Sequence, residues 1–159
     1  SMFTRAIVGP SDFTPVVSPL SKGMTVGHQM ALAVLYESGA PSMADYASTY
    51  AKEEYNAFYK ALPATYDDMV YIGGELDGYF IAARRKGNDW FIAGINAVLE
   101  RDVEINLSFL DEGSYTATVY TDGDDYKSIV KSGKTLTRAD KENLSLVKNG
   151  GFVLHLQKN

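Results

Sequence analysis

From about residue 65 onward the sequence alternates. Val103, Ile105, Leu107 and Phe109 point one way and Asp102, Glu104, Asn106 and Ser108 the other, the period-two signature of a strand with one buried face. Similar runs cover Met69 to Gly73, Tyr79 to Ala83, Trp90 to Ile95, Tyr115 to Tyr120, Leu144 to Val147 and Phe152 to Leu156. Turn formers stand between them: Asp77-Gly78, Gly87-Asn88-Asp89, Glu112-Gly113, Asp122-Gly123 and Asn149-Gly150-Gly151. These residue pairs suit the backbone of tight hairpins. Seven or eight short strands in about 95 residues predict an antiparallel β-sandwich. Its expected core is Val103, Ile105, Leu107, Phe109, Trp90, Ile92, Phe152 and Leu154, and residues 65–159 are expected to form the stable unit.

Residues 1–64 read differently, and the change of character falls at Leu62-Pro63. Phe3 to Val8 is a short apolar strand stopped by Gly9-Pro10, and Pro15, Pro19 and Gly23 mark a loop. Thr25 is placed to cap a helix from Val26 to Tyr36. That helix is apolar on nearly every side, as a helix packed among neighbours is. A second helix is expected from the Ser42-to-Asp45 capping signal through Tyr46, Ala47 and Tyr50, and a third with Tyr55, Phe58, Tyr59 and Leu62 on one face. The fold class expected is therefore α+β, a helical N-terminal piece followed by the sandwich. Left without cover, the helices would either self-associate or fold back onto the sandwich.

Composition narrows the function. The 159 residues carry a formal charge of −5 with no basic cluster, which argues against nucleic acid as a partner. There are no cysteines, so neither disulfides nor thiolate metal sites exist. No stretch approaches the roughly 20 apolar residues that span a bilayer, and a membrane partner is not expected. A (β/α)8 barrel needs about 250 residues, so this chain cannot hold a whole one.

The residues that could carry chemistry are few. Arg5 and Asp12 flank the end of the opening strand, where a barrel strand would present polar groups to a substrate; taken alone, Asp12 reads as a turn residue and Arg5 as a surface charge. His28 lies near the start of the apolar helix and reads as a helix-terminal histidine held by a backbone carbonyl; a metal site needs further ligands, and with one other histidine, His155 on a late strand, no cluster is evident. Asp122, Asp124 and Asp125 offer the oxygen ligands that calcium takes, but they lack an EF-hand loop and read as a solvated hairpin turn. Trp90 is either a core anchor or a stacking platform for a sugar. No nucleophile elbow, phosphate loop or His-Glu-x-x-His motif is present.

A series of strings, in order, carries a resemblance. Phe3-Thr4-Arg5 with Gly9-Pro10-Ser11-Asp12-Phe13-Thr14-Pro15 resembles the late barrel strand of glycoside hydrolase family 97, the retaining and inverting α-glucosidases and α-galactosidases. Thr25-Val26-Gly27-His28-Gln29-Met30-Ala31-Leu32 resembles the family's last barrel helix, and Ser42-Met43-Ala44-Asp45 its continuation. Asn88-Asp89-Trp90-Phe91-Ile92-Ala93-Gly94, Ser108-Phe109-Leu110, the stretch from Tyr115 to Asp125 and Gly150-Gly151-Phe152 resemble its C-terminal β-sandwich. Ser11 and Phe13 stand where methionine and tyrosine are frequent.

The resemblance implies that residues 1–64 are the end of a catalytic barrel and residues 65–159 a C-terminal sandwich associated with oligomerisation. It also implies that the catalytic carboxylates and the calcium-binding glutamates lie upstream, so that no catalytic or metal residue is expected in this chain. Arg5 and Asp12 become substrate-lining residues of an intact enzyme acting on α-linked oligosaccharides, periplasmic or extracellular and a homo-oligomer. The competing expectation is a stand-alone carbohydrate-binding or assembly module, which would expose Trp90, whereas the accessory-domain reading buries it.

Overall fold

The computed structural model of the chain describes residues 23–36, 48 and 52–159. The opening strand, the helix expected after Ser42, and Arg5 and Asp12 lie outside the described residues. The described elements are α1 (Val26–Leu35), α2 (Glu53–Ala61), β1 (Asp68–Glu75), β2 (Tyr79–Lys86), β3 (Asp89–Asn96), β4 (Arg101–Asn106), β5 (Ser114–Asp122), β6 (Ile129–Thr137), β7 (Lys141–Leu146) and β8 (Gly151–Lys158).

Six strands form one sheet in the order β1-β2-β3-β8-β5-β6, and β4 pairs with β7 in a smaller second sheet. Every pairing is antiparallel. The last strand returns to the centre, between β3 and β5. Its run Phe152-Val153-Leu154-His155-Leu156 is buried on both faces, as is most of β3, and such strands are stable only where both sides are covered. The pairs Trp90↔Leu156 and Ile92↔Leu154 set the register on one side of β8, and Ala117↔Leu156 and Val119↔Leu154 set it on the other.

The alternation of these strands supplies two cores. On the inner face Trp90, Ile92, Leu154 and Leu156 meet Ile105, Leu107 and Leu146 from the smaller sheet and its following loop. On the outer face Ala82, Phe91, Ala93, Tyr120 and Val153 are covered by Val26, Met30, Val34 and Leu35 of α1 and by Tyr55 and Phe58 of α2. The helices therefore lie on the sandwich rather than standing free. Gly94 faces inward where no side chain fits, because a Cβ there would meet the Phe152 ring at 2.3 Å.

Three local expectations are corrected. The strand β6 had no signal: Val130 to Thr135 all face solvent, since β6 is an edge strand and needs no apolar face. The period-two run from Val103 stops being a strand at Asn106. Leu107 then donates its N–H to the Asp140 carbonyl and Leu110 its N–H to Leu107, so Leu107 and Leu110 reach the core from a turn. Phe109 also comes from that turn, and its ring packs edge-on against Trp90 at 5.0 Å.

Candidate functional site

Of the described residues that could do chemistry, His28 and Asp122 come together where α1 meets the sheet. Thr25 caps the helix, its hydroxyl accepting the His28 N–H at 3.0 Å. In the first turn, Gly27 donates its N–H to Asp122 Oδ1 at 3.0 Å, while Gly151 donates to Asp122 Oδ2 at 2.9 Å. One carboxylate at the end of β5 thus joins the start of α1 to the start of β8. Gly27 allows the approach, because a Cβ there would fall 2.5 Å from the Gly151 carbonyl oxygen. His28 Nδ1 donates to the Gly150 carbonyl at 3.2 Å, the backbone-satisfied role that its helix-terminal position predicts.

The far end of α1 carries the opposite charge. Arg84 of β2 is buried and donates from Nη2 to the Leu35 carbonyl at 2.8 Å, with its guanidinium 5.3 Å from the Tyr66 ring centroid. A helix presents partial positive charge at its N-terminus and negative charge at its C-terminus. Asp122 and Arg84 match both ends. Burial pushes the Asp122 carboxyl above the ordinary carboxylate range despite its backbone bonds, and burial holds His28 below the ordinary histidine range.

This overturns the reading of Asp122, Asp124 and Asp125 as one solvated turn. Asp122 is turned inward to hold the helix, Asp124 is exposed, and Asp125 Oδ1 accepts the Lys127 N–H at 2.8 Å, a bond that leads in keeping its carboxyl below the usual range. Asp122 turned inward does not converge with the exposed Asp124 and Asp125, and among the described residues no group of three or more histidines or carboxylates could hold a metal. His155 sits elsewhere, stacked on Phe91 at 4.3 Å. Trp90 is 4% exposed and offers no face to a sugar. The Asp122 and Arg84 roles carried no sequence signal, since each depends on where a helix distant in sequence is laid.

The end of the sandwich at which α1 begins also holds a cleft of about 460 Å³. His28, Leu76, Tyr79, Phe80, Ile95 and Val98 line it. Asn96 ties the neighbouring loops together, its Nδ2 donating to the carbonyls of Leu99 at 2.6 Å and Val147 at 2.9 Å.

With this geometry in view, comparison with known proteins places the chain. A family model described as "Glycosyl-hydrolase 97 C-terminal, oligomerisation" matches residues 65–157. A retaining alpha-galactosidase of Bacteroides thetaiotaomicron is 34% identical over 98% of this chain, and a probable retaining alpha-galactosidase of Streptomyces bingchenggensis is 29% identical over 95%. A solved structure of a glycoside hydrolase family 97 enzyme from Pseudoalteromonas sp. strain K8, in complex with acarbose, superposes with a TM-score of 0.92 at 26% identity over 99% of this chain. The chain spans 26% and 24% of the two curated relatives and 28% of the Pseudoalteromonas enzyme. A sandwich with its helices clamped to one sheet, matched nearly end to end by the C-terminal quarter of such enzymes, belongs to glycoside hydrolase family 97.

Proposed function

We propose that this chain is the C-terminal portion of an α-galactosidase or α-glucosidase and serves as its accessory and assembly domain, contributing no catalytic carboxylate. The observation that carries this reading is that the match covers 98% of the chain but only 26% of the α-galactosidase. The burial of Trp90 supports it against a free carbohydrate-binding module. In the intact enzyme the substrate would be an α-linked oligosaccharide, and Arg5 and Asp12 would line its site at the mouth of the last barrel strand. Calcium, if the enzyme uses it, would be held by upstream residues; the compartment would be periplasmic or extracellular.

On this reading α1 is the last helix of the catalytic barrel. Seven of its ten residues are buried, while Leu32 and Ala33 stay half-buried. The sheet then gives that helix a second wall, and the sandwich steadies the barrel at the point where it ends.

Glycoside hydrolysis needs two carboxyl groups about 5 to 9.5 Å apart flanking the bond. The isolated chain is therefore expected to leave p-nitrophenyl α-galactoside and α-glucoside intact. Turnover that survives purification and disappears on mutating an acid of this chain refutes the reading.

A further inference from the structure

The described residues expose eight large apolar side chains, and five of them stand at one end of the sandwich. Leu76 is on the β1–β2 turn, Val98 and Leu99 lie between β3 and β4, Tyr126 lies between β5 and β6, and Val147 lies between β7 and β8. Leu76 is 73% exposed and Leu99 67%. At the opposite end the connections are Gly87-Asn88, the segment through Asp111-Glu112-Gly113, and Arg138-Ala139-Asp140, and none of the eight lies on them. An apolar concentration of this kind on one end marks a contact surface. The cleft lined by Leu76 and Val98 opens within it.

The chain also enters at this end. Thr25 donates its N–H to the Asn149 carbonyl at 3.1 Å and Val26 to the Tyr126 carbonyl at 3.0 Å. The backbone leading into α1 is thereby bound to the β7–β8 and β5–β6 loops, so α1 begins beside the exposed apolar residues. The relatives are roughly four times as long as the segment they share with this chain, and that segment is described as C-terminal. We propose that this apolar end seats the upstream catalytic portion of the longer enzyme, with the cleft between Leu76 and Val98 taking an apolar side chain from it. The inference rests on the reading of the chain as a C-terminal portion. Barrel helices run opposite to their strands, so the N-terminus of α1 lies on the side of the barrel that carries the active site. The partner surface is then a loop at the rim of that site. A second copy would have to share this end with the chain entering α1, which makes it the poorer occupant.

The test uses the absence of cysteine. Val98→Cys and, separately, Leu76→Cys place a thiol in the cleft, and both positions are open enough to accept it. Each variant is made in the 159-residue chain and in the longer polypeptide encoded in frame with it. Maleimide labelling is followed at that peptide by mass spectrometry. The expected result is labelling at least ten-fold slower in the longer polypeptide at both positions. Equal rates in the two contexts overturn the inference. So does a 159-residue chain that light scattering shows to be a dimer and that Leu76→Asp converts to a monomer, because the occupant is then a second copy. Hydrolysis of an α-galactoside or α-glucoside by the longer polypeptide reports separately on the parent reading. Turnover with an unprotected thiol defeats the docking surface alone, and protection without turnover defeats the enzymatic reading alone.

Discussion

Replacing Asp122 with alanine removes both acceptors that join α1 to β8. Two N–H groups, those of Gly27 and Gly151, lose partners at 3.0 and 2.9 Å. A hydrogen bond to a charged group contributes about 1.5 to 3 kcal/mol, and a partly buried donor left alone costs about 1 to 3. The loss of a carboxylate at a helix N-terminus adds about 0.3 to 1 kcal/mol. Fully buried, two such bonds and the helix-end charge would sum to about 3 to 7 kcal/mol, but water can reach part of this site and replace some of the bonding, so about 2 to 4 is expected. Urea unfolding measures the total, and amide hydrogen exchange locates it. Protection should fall first in residues 26–35, because those residues are held at their start by this carboxylate. Asp122→Asn retains one acceptor and should lose about half as much. A change below about 0.5 kcal/mol in Asp122→Ala, with α1 amides still protected, refutes the clamp.

Three further outcomes follow from the two cores and the buried histidines. Ile105→Ala should cost about 2 to 5 kcal/mol, from lost transfer energy and the cavity left between the sheets; a much smaller change in urea unfolding means that the inner face is misassigned. Against the expectation that residues 65–159 form the stable unit by themselves, a chain begun at Thr65 uncovers Phe91, Tyr120 and Val153 of the outer core, so it should associate or unfold, and a monomer of undiminished stability in light scattering and urea refutes the outer core. Burial holds His28 and His155 below the usual histidine value of 6.5, so the unfolded chain binds more protons just under that pH and stability falls as the solution is acidified, by up to about 1.4 kcal/mol per pH unit for each. Asp122 acts in the opposite sense at lower pH, because its carboxyl is raised above 3.8 and its proton is held more tightly in the folded chain. The variant His28→Gln/His155→Gln should flatten the slope between pH 7 and the acid limb, and an unchanged slope refutes the assignment.

Local pattern determined much of this protein. Period-two runs and turn pairs placed seven of the eight strands, because strand pleat and hairpin geometry act over a few residues and leave their mark in order along the chain. The apolar character of Val26 to Leu35 also announced a helix with neighbours on several sides. The strand β6 escaped because, among the described strands, it pairs with β5 alone and solvent accepts any polar side chain there.

What the tertiary structure decided is which distant groups meet. The sequence of β3 and β8 reads as alternating or simply apolar; their burial on both faces follows only once α1 and α2 are laid across the sheet. Asp122 and Gly27 are far apart in the chain, as are Arg84 and Leu35, and the physics of a carboxylate beside a glycine in a turn is the same whether it faces water or a helix. Neither pair has a local signature, since helix-end charges act only over the distance that packing sets. The same holds for the apolar end of the sandwich. Leu76, Val98, Leu99, Tyr126 and Val147 are single apolar residues in separate loops, ordinary one by one, and only the up-and-down course of the strands brings all four loops to the end where the chain enters.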